Sequence, residues 1–325
     1  MNIDMIHAAN GRLAGQKRVT PLLNAPLLDQ LVGRKLYVKA ECLQFTGSFK
    51  FRGGFSAVSA LDARTRERGV IAYSSGNHAQ GVALAAAMHG APAVIIMPAD
   101  APAMKIANTR AYGAEVVLYD RAGGESREDV GAKLTAERGM TLIKPYDEPQ
   151  VIAGQGTTGL EIAEQAAEVG IEDADVLVCC GGGGLTSGIA LALAAEAPGL
   201  RARPCEPEGF DDVARSLAVG TIQTNDRPSG SICDAIVTPA PGELTFPIMR
   251  ALCGPGMVVT DDQVLRAMAL AWQHLKIVVE PGGAAALAAA IFHGDRIEGE
   301  AVIAVATGGN VDRAMFTRAL DTLEG

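Results

Sequence analysis

VIAYSSGNHAQGVALAAAMHGAPAVIIMP, residues 70–98, decides the fold class. An apolar run, VIAYSS, ends in a polar turn, and GNHAQGVALAAAMH has the Ala, Leu and Met content of a helix that Gly90 stops. The β-branched run PAVIIMP follows at once. Strand, helix and strand in about thirty residues make a βαβ unit, because parallel strands need a crossover of about this length. The same beat extends outward on both sides. Upstream, SAVSALDARTRERG (56–69) is predicted as one helix closing at Gly69; downstream, AMKIANTRAYG and EVVLYD repeat helix then strand. A second series runs through TTGLEIAEQAAEVG, the buried strand DVLVCCG, the glycine turn and helix GGGLTSGIALALAAEAPG, a long helix near 261–276 and the strand EAVIAVATGG. The expected class is α/β, with two lobes, each a mostly parallel sheet flanked by helices.

At 325 residues the chain has room for two such lobes and a core that needs no staples. Aromatics are only 4%, so aliphatic side chains must fill that core. The net charge of -9, with no basic tract, argues against a nucleic-acid partner. The apolar runs are too short or too broken by glycine to span a membrane, and MNIDMIHAANGRLAG lacks the basic start and apolar core of a signal peptide. The six cysteines lack metal-ligand spacing and are read as reduced thiols of a cytoplasmic protein.

Chemistry concentrates at four turns. In ECLQFTGSFKFRGG (41–54), Lys50 stands between Phe49 and Phe51. Burying an ammonium without a partner lowers its pKa, which is what a nucleophilic lysine needs. CGGGGLTSG (180–188) sets four glycines between a strand and a helix, where several backbone N–H groups can converge on a phosphate at the positive end of the helix dipole. It lacks the Lys-Ser/Thr ending of a nucleotide P-loop and the spacing of the dinucleotide fingerprint. SSGNHAQG (74–81) is a second anion-binding turn at a helix start, offering N–H groups with Ser75, Asn77 and Gln80; His78 alone reads as a satisfied helix-end histidine rather than a catalytic one. ATGGNVD (306–312) ends the last strand with a hydroxyl, Thr307, able to meet a ring nitrogen without imposing a charge on it. A desolvated lysine, a phosphate cradle and a second anion site together call for a phosphorylated aldehyde, pyridoxal 5'-phosphate.

These motifs, TGSFKFRGG, SSGNHAQG, CGGGGLTSG and TGGNVD, in this order and with PYDEPQVIAGQGTTGLEI between the second and third, resemble the fold-type II pyridoxal-phosphate enzymes. Within them the chain is similar to the serine/threonine dehydratase and serine racemase group over nearly its whole length. The resemblance implies a two-lobed fold like the tryptophan synthase β chain. Residues 1–68 and 147–325 would form a large cofactor-binding domain and 69–146 a small mobile one. It also implies that Lys50 bonds the cofactor aldehyde and moves the α-proton. Gly181, Gly182, Gly183, Gly184 and Leu185 would hold the phosphate, Phe49 would pack on the ring, Asn77 would bond its phenolic oxygen, and Thr307 would face its nitrogen. Ser74, Ser75, Gly76, Asn77 and His78 would hold the substrate. The implied reaction is β-elimination from a β-hydroxy amino acid such as L-threonine, L-serine or L-threo-3-hydroxyaspartate, giving a 2-oxo acid and ammonia.

The alternative on the same scaffold is a serine- or aspartate-type racemase, because Ser75 matches the base that racemases place opposite the lysine. Arg127 matches an arginine that reaches the second carboxylate of 3-hydroxyaspartate; equally, it reads as a helix-surface ion pair with Glu125 or Glu128. CEPEGFDD (205–212) resembles a divalent-cation site, with Glu206 and Asp212 as carboxylates and the Phe210 carbonyl between them, suited to Mg2+, Ca2+ or Mn2+; the other reading is a solvated acidic loop. SICDAIVTPAPGELTFPIMRAL (231–252) departs from the group's Ala-Asp-Gly at its start, which leaves substrate preference open. No appended regulatory domain is expected, and a homodimer is expected.

Overall fold

A computed structural model of the chain describes residues 1–74, 76–101, 103–120 and 123–324. Its strands are β1 (Leu22–Asn24), β2 (Lys35–Lys39), β3 (Val70–Tyr73), β4 (Ala93–Pro98), β5 (Glu115–Tyr119), β6 (Thr141–Leu142), β7 (Ala174–Cys179), β8 (Leu200–Pro207), β9 (Met257–Val259) and β10 (Ala301–Val305). They form a six-stranded sheet in the order β1-β2-β10-β7-β8-β9 and a four-stranded sheet in the order β5-β4-β3-β6. Among these strands only β1 runs antiparallel to its neighbour; the other pairings are parallel. Residues 70–98 supply the β3–β4 unit, joined by the helix Asn77–Met88.

Every residue of β4 and of β7 is buried, which is why AVIIMP and ADVLVC read as unbroken apolar runs: helices cover both faces of each sheet. The large sheet packs against the alanine-rich helix Pro281–Phe292, buried from Pro281 to Ala290, so small side chains replace the missing aromatics and let helix and sheet approach closely. The small sheet shares its core with the helix Lys50–Ala60 through Phe51, Phe55 and Val58.

Three helix boundaries differ from the sequence reading. The segment 56–69 is not one helix: the chain extends at Leu61, and Asp62 caps a second helix, Ala63–Arg68, by accepting from the Thr65 N–H. The helix expected at TTGLEIAEQAAEVG starts earlier, at Pro149, where Glu148 accepts from the Gln150 and Val151 N–H groups. The long helix at 261–276 is helical to Leu270 and continues as a π turn over Ala271–Leu275. The six cysteines are unpaired, and burial pushes the Cys179 thiol up to about 11 and the Cys42 thiol up to about 12, which leaves both protonated and unreactive at neutral pH. No helix of the described residues is long and apolar enough to cross a membrane.

Beneath the Lys50–Ala60 helix lies a buried ionic cluster. Arg52 grips Glu41 with two hydrogen bonds of 2.7 Å and Glu161 with two of 2.8 Å; Lys39 donates to Glu161 at 2.7 Å, and Lys17 also donates to Glu161. Arg52, Lys39 and Glu41 are fully buried. Burial is the largest effect on the Glu161 carboxyl and pushes it up, but Arg52, with Lys39 and Lys17, holds it down at about 2. The cluster ties β2, the following turn and the helix Pro149–Glu168 to the segment that carries Lys50.

Candidate active site

The carboxyl ends of β3, β7 and β10 face one cavity of about 290 Å³, the position where parallel α/β sheets place their ligands. Lys50 begins the helix Lys50–Ala60, and two links fix its approach: the Phe49 N–H donates to the Thr307 carbonyl at 3.1 Å, and Ser48 bridges to Gly308. Its ammonium donates to the Pro145 carbonyl at 2.6 Å and lies 5.1 Å from the centre of the Phe49 ring. Burial pushes it down to about 8, so a usable fraction is the free amine near neutral pH. The flanking aromatics account for this: Phe51 is fully buried in the small sheet's core, and Phe49 packs on the large sheet.

The glycine turn sits where β7 meets the helix Gly184–Glu196. Gly183 has φ +89°, a conformation that side chains other than glycine rarely adopt, and Tyr146 lies across the turn so that a Cβ on Gly182 would overlap its ring. A Cβ on Gly181 would stand 3.1 Å from the Ile236 carbonyl oxygen. The Thr245 hydroxyl donates to the Gly182 carbonyl at 2.6 Å, and the Ser187 hydroxyl to the Gly183 carbonyl at 2.7 Å, so both loop carbonyls already have partners. Gly181, Gly182, Gly183, Gly184 and Leu185 all line the cavity. This is a cradle of backbone donors that side chains would fill, and it fits a phosphate.

Thr307, at the tip beyond β10, is buried, lines the cavity and hydrogen-bonds the Cys179 thiol. Ser74, Gly76, Asn77 and His78 also line the cavity, at the start of the helix Asn77–Met88; Ser75 lies outside the described residues. His78 donates from Nε2 to the Ile143 carbonyl at 2.9 Å, and burial followed by the Lys50 charge pushes it down to about 3, so it is a neutral imidazole whose Nδ1 is left as an acceptor. Asn77 donates to Glu280 at 2.5 Å and accepts from Asn310 at 2.7 Å. An amide nitrogen carries two N–H bonds, so its second one remains for a ligand oxygen.

Several cavity residues have no counterpart in the sequence reading. Glu280, buried, caps the helix Pro281–Phe292; burial, with Asp234, pushes its carboxyl up to about 7 against the pull of Asn77 and Lys105. The sequence signal was there in IVVEPGG, a carboxylate before Pro-Gly-Gly in an apolar stretch. Tyr146, Asp234 and Lys105 also line the cavity. Arg127 begins the helix Arg127–Arg138, lines the cavity and places its guanidinium 5.2 Å from the centre of the Tyr73 ring.

Glu206 lies near the end of β8, and Asp212 starts the helix Asp212–Val219. The Glu206 carboxylate accepts from the Val213 and Ala214 N–H groups at 2.9 and 2.7 Å; Asp212 accepts from Asn225 at 2.6 Å, and its second oxygen is buried without a partner. Burial pushes both carboxyls up, Asp212 to about 6, and the Asp212 charge further opposes ionisation of Glu206. Two buried carboxylates, one with an orphaned oxygen, fit an oxygen-liganded divalent cation, although among the described residues no three His, Cys, Asp or Glu side chains converge as a metal cluster.

Residues 13–308 match the family model described as pyridoxal-phosphate dependent enzyme. An L-threo-3-hydroxyaspartate ammonia-lyase of Pseudomonas sp is 45% identical over 95% of this chain and 95% of its own, and a serine racemase of Oryza sativa subsp. indica is 38% identical over 98% and 94%. The crystal structure of a threonine deaminase from T.th. superimposes with a TM-score of 0.90 at 44% identity, covering 96% of this chain and 99% of that one. The two-sheet frame is therefore that of a known fold, and the chain belongs to the pyridoxal-phosphate-dependent enzymes of fold-type II.

Proposed function

We infer that this enzyme removes water and ammonia from a β-hydroxy amino acid, with L-threo-3-hydroxyaspartate, L-threonine and L-serine as the candidate substrates. The observation that carries the reading is that Lys50, an amine with a pKa of about 8 beside a phosphate cradle, shares its cavity with the uncharged Thr307. When bound, pyridoxal phosphate supplies the electron sink that acidifies the α C–H bond of an amino acid. Gly181, Gly182, Gly183, Gly184 and Leu185 would hold its phosphate, Phe49 would pack on its ring, and Asn77 would offer its second amide N–H to the phenolic oxygen. Thr307 would offer its ring nitrogen a hydroxyl in place of a carboxylate, which would impose no positive charge there and would favour loss of a β-leaving group. Lys50 takes the α-proton, and the resulting ammonium protonates the departing hydroxyl, which leaves as water. The released enamine tautomerises and takes up one water, giving the 2-oxo acid and ammonium.

Racemisation is the second reading, carried by Ser75 in the sequence and by the likeness to serine racemases. In it, Ser75 acts as the base opposite Lys50, with Ser74, Gly76, Asn77 and His78 around the substrate carboxylate. We further propose a divalent cation held by Glu206, Asp212 and the Phe210 carbonyl, a mobile lobe over 69–146 moving against 1–68 and 147–325, and a cytoplasmic homodimer. Leu27 and Leu31, one turn apart on the helix Pro26–Val32 and more than half exposed, support a partner surface.

The test is release of 2-oxo acid from L-serine, L-threonine and L-threo-3-hydroxyaspartate by the holoenzyme, with Mg2+ and with a chelator, in parallel with chiral analysis of the remaining amino acid. Oxo acid from at least one substrate is expected, and Ser75→Ala should retain elimination while losing racemisation. If no oxo acid forms from any of the three, elimination of these substrates is wrong. If Ser75→Ala racemises as well as the parent, Ser75 is not the opposing base.

A further inference from the structure

The charges around the cavity are sorted by lobe. Among the described residues, the cavity's cations other than Lys50 come from the segment that carries the four-stranded sheet, Lys105 on the helix Ala103–Ala111 and Arg127 on the helix Arg127–Arg138. The carboxylates that line it, Asp234 and Glu280, come from the part that carries the six-stranded sheet. Lys105 and Asp234 meet across the cavity with Nζ 3.6 Å from Oδ2, longer than a direct hydrogen bond. The Asp234 side chain is 72% exposed and that of Lys105 30% exposed, so the lysine is the more desolvated partner and its present counter-ion is largely in water. Such a pair is held weakly and exchanges readily for a closer anion.

We propose that Lys105 is a specificity residue for dicarboxylic amino acids: it takes the distal carboxylate of the substrate and gives up Asp234 to do so. This rests on the β-hydroxy amino acid reading above and deepens it. The α-carboxylate belongs at the N-terminal turn of the helix Asn77–Met88, where backbone N–H groups and the helix dipole favour an anion. A four-carbon diacid held there has a second carboxylate to place inside the same cavity, and the cations that line it beyond Lys50 are Lys105 and Arg127. Glu280 hydrogen-bonds Asn77, whereas the ion pair that Lys105 makes is with Asp234. Asp234 thus acts as an internal competitor: it neutralises Lys105 against monocarboxylic amino acids, which have nothing to offer in exchange.

The experiment compares kcat/KM for L-threo-3-hydroxyaspartate and L-serine in the wild-type holoenzyme, Lys105→Met, Lys105→Arg and Asp234→Asn, and measures succinate binding to each by calorimetry. Lys105→Met is expected to lower the diacid-to-serine ratio at least tenfold, through KM for the diacid, and to weaken succinate by a similar factor. Lys105→Arg should restore most of both, and Asp234→Asn should raise the ratio severalfold. An unchanged ratio in Lys105→Met, or an equal loss on both substrates with succinate binding intact, overturns the proposal. If the wild type acts on neither amino acid, the elimination reading fails, while the succinate series still decides whether Lys105 binds a second carboxylate.

Discussion

Lys50 and Glu280 are two buried ionisable groups in one cavity, displaced toward neutrality from opposite ends of the pH scale. For Glu280 the displacement has a sign that can be checked. An unfolded glutamate titrates near about 4.3, whereas the folded group titrates near 7. Between those values the folded chain holds a proton that the unfolded chain has lost. The stability contributed by this group is therefore full below the unfolded value and is lost as pH rises through about 7. The loss is on the order of 3 kcal/mol. Glu280→Gln keeps an acceptor for Asn77 and has no charge to desolvate. Urea unfolding of the holoenzyme is expected to find variant and parent close at pH 5 and the variant more stable by roughly 2–3 kcal/mol at pH 8; a gap that does not change with pH would contradict the assignment. At this scale the sequence disclosed Lys50, because its two aromatic neighbours are adjacent in the chain. Glu280, Asn310 and Lys105 were not legible as site residues, because Asn77 meets Glu280 from 203 positions away.

At the scale of elements, the helices Lys50–Ala60 and Asn77–Met88 cross at bare backbone. A Cβ on Gly54 would stand 2.9 Å from the Gly81 carbonyl carbon, and a Cβ on Gly81 would stand 2.9 Å from the Lys50 carbonyl. The second helix therefore rests on the peptide group of Lys50 itself. Gly81→Ala is expected to push that peptide aside, lowering kcat at least tenfold and stability by roughly 1–3 kcal/mol, since overpacking against backbone has no flexible end to move. Steady-state kinetics with a thermal melt checks this, and unaltered kcat would mean that the crossing does not position Lys50. The alternation of strand and helix was legible because parallel strands buried on both faces announce themselves as apolar runs. The break at Asp62 was not, because arginine-rich 63–68 has helical propensity on either side of a single capping residue.

For the whole molecule, the class of two mostly parallel sheets followed from the repeated unit, but the strand order did not: β10, last in sequence, lies between β2 and β7, a placement set by packing and not by any local pattern. The cation is a prediction at this scale, because Glu206 and Asp212 join β8 to the helix that follows it. At a hundredfold excess over its Kd, Mg2+ is expected to raise the thermal midpoint by roughly 5 °C. A chelator should remove the gain and Asp212→Asn abolish it; equal gains in parent and variant would place the cation elsewhere.

The buried ionic cluster of Arg52, Glu41, Glu161 and Lys39 has a consequence for descent. Removing one member strands an opposite charge out of water, a loss of about 3–5 kcal/mol, against a total fold stability of about 5–15 kcal/mol. Exchanging the whole set for apolar residues of similar volume is far less damaging. Neutral drift one codon at a time thus meets a ridge on every side of these positions, and any lineage that reaches an apolar version must cross it by compensated, concerted change.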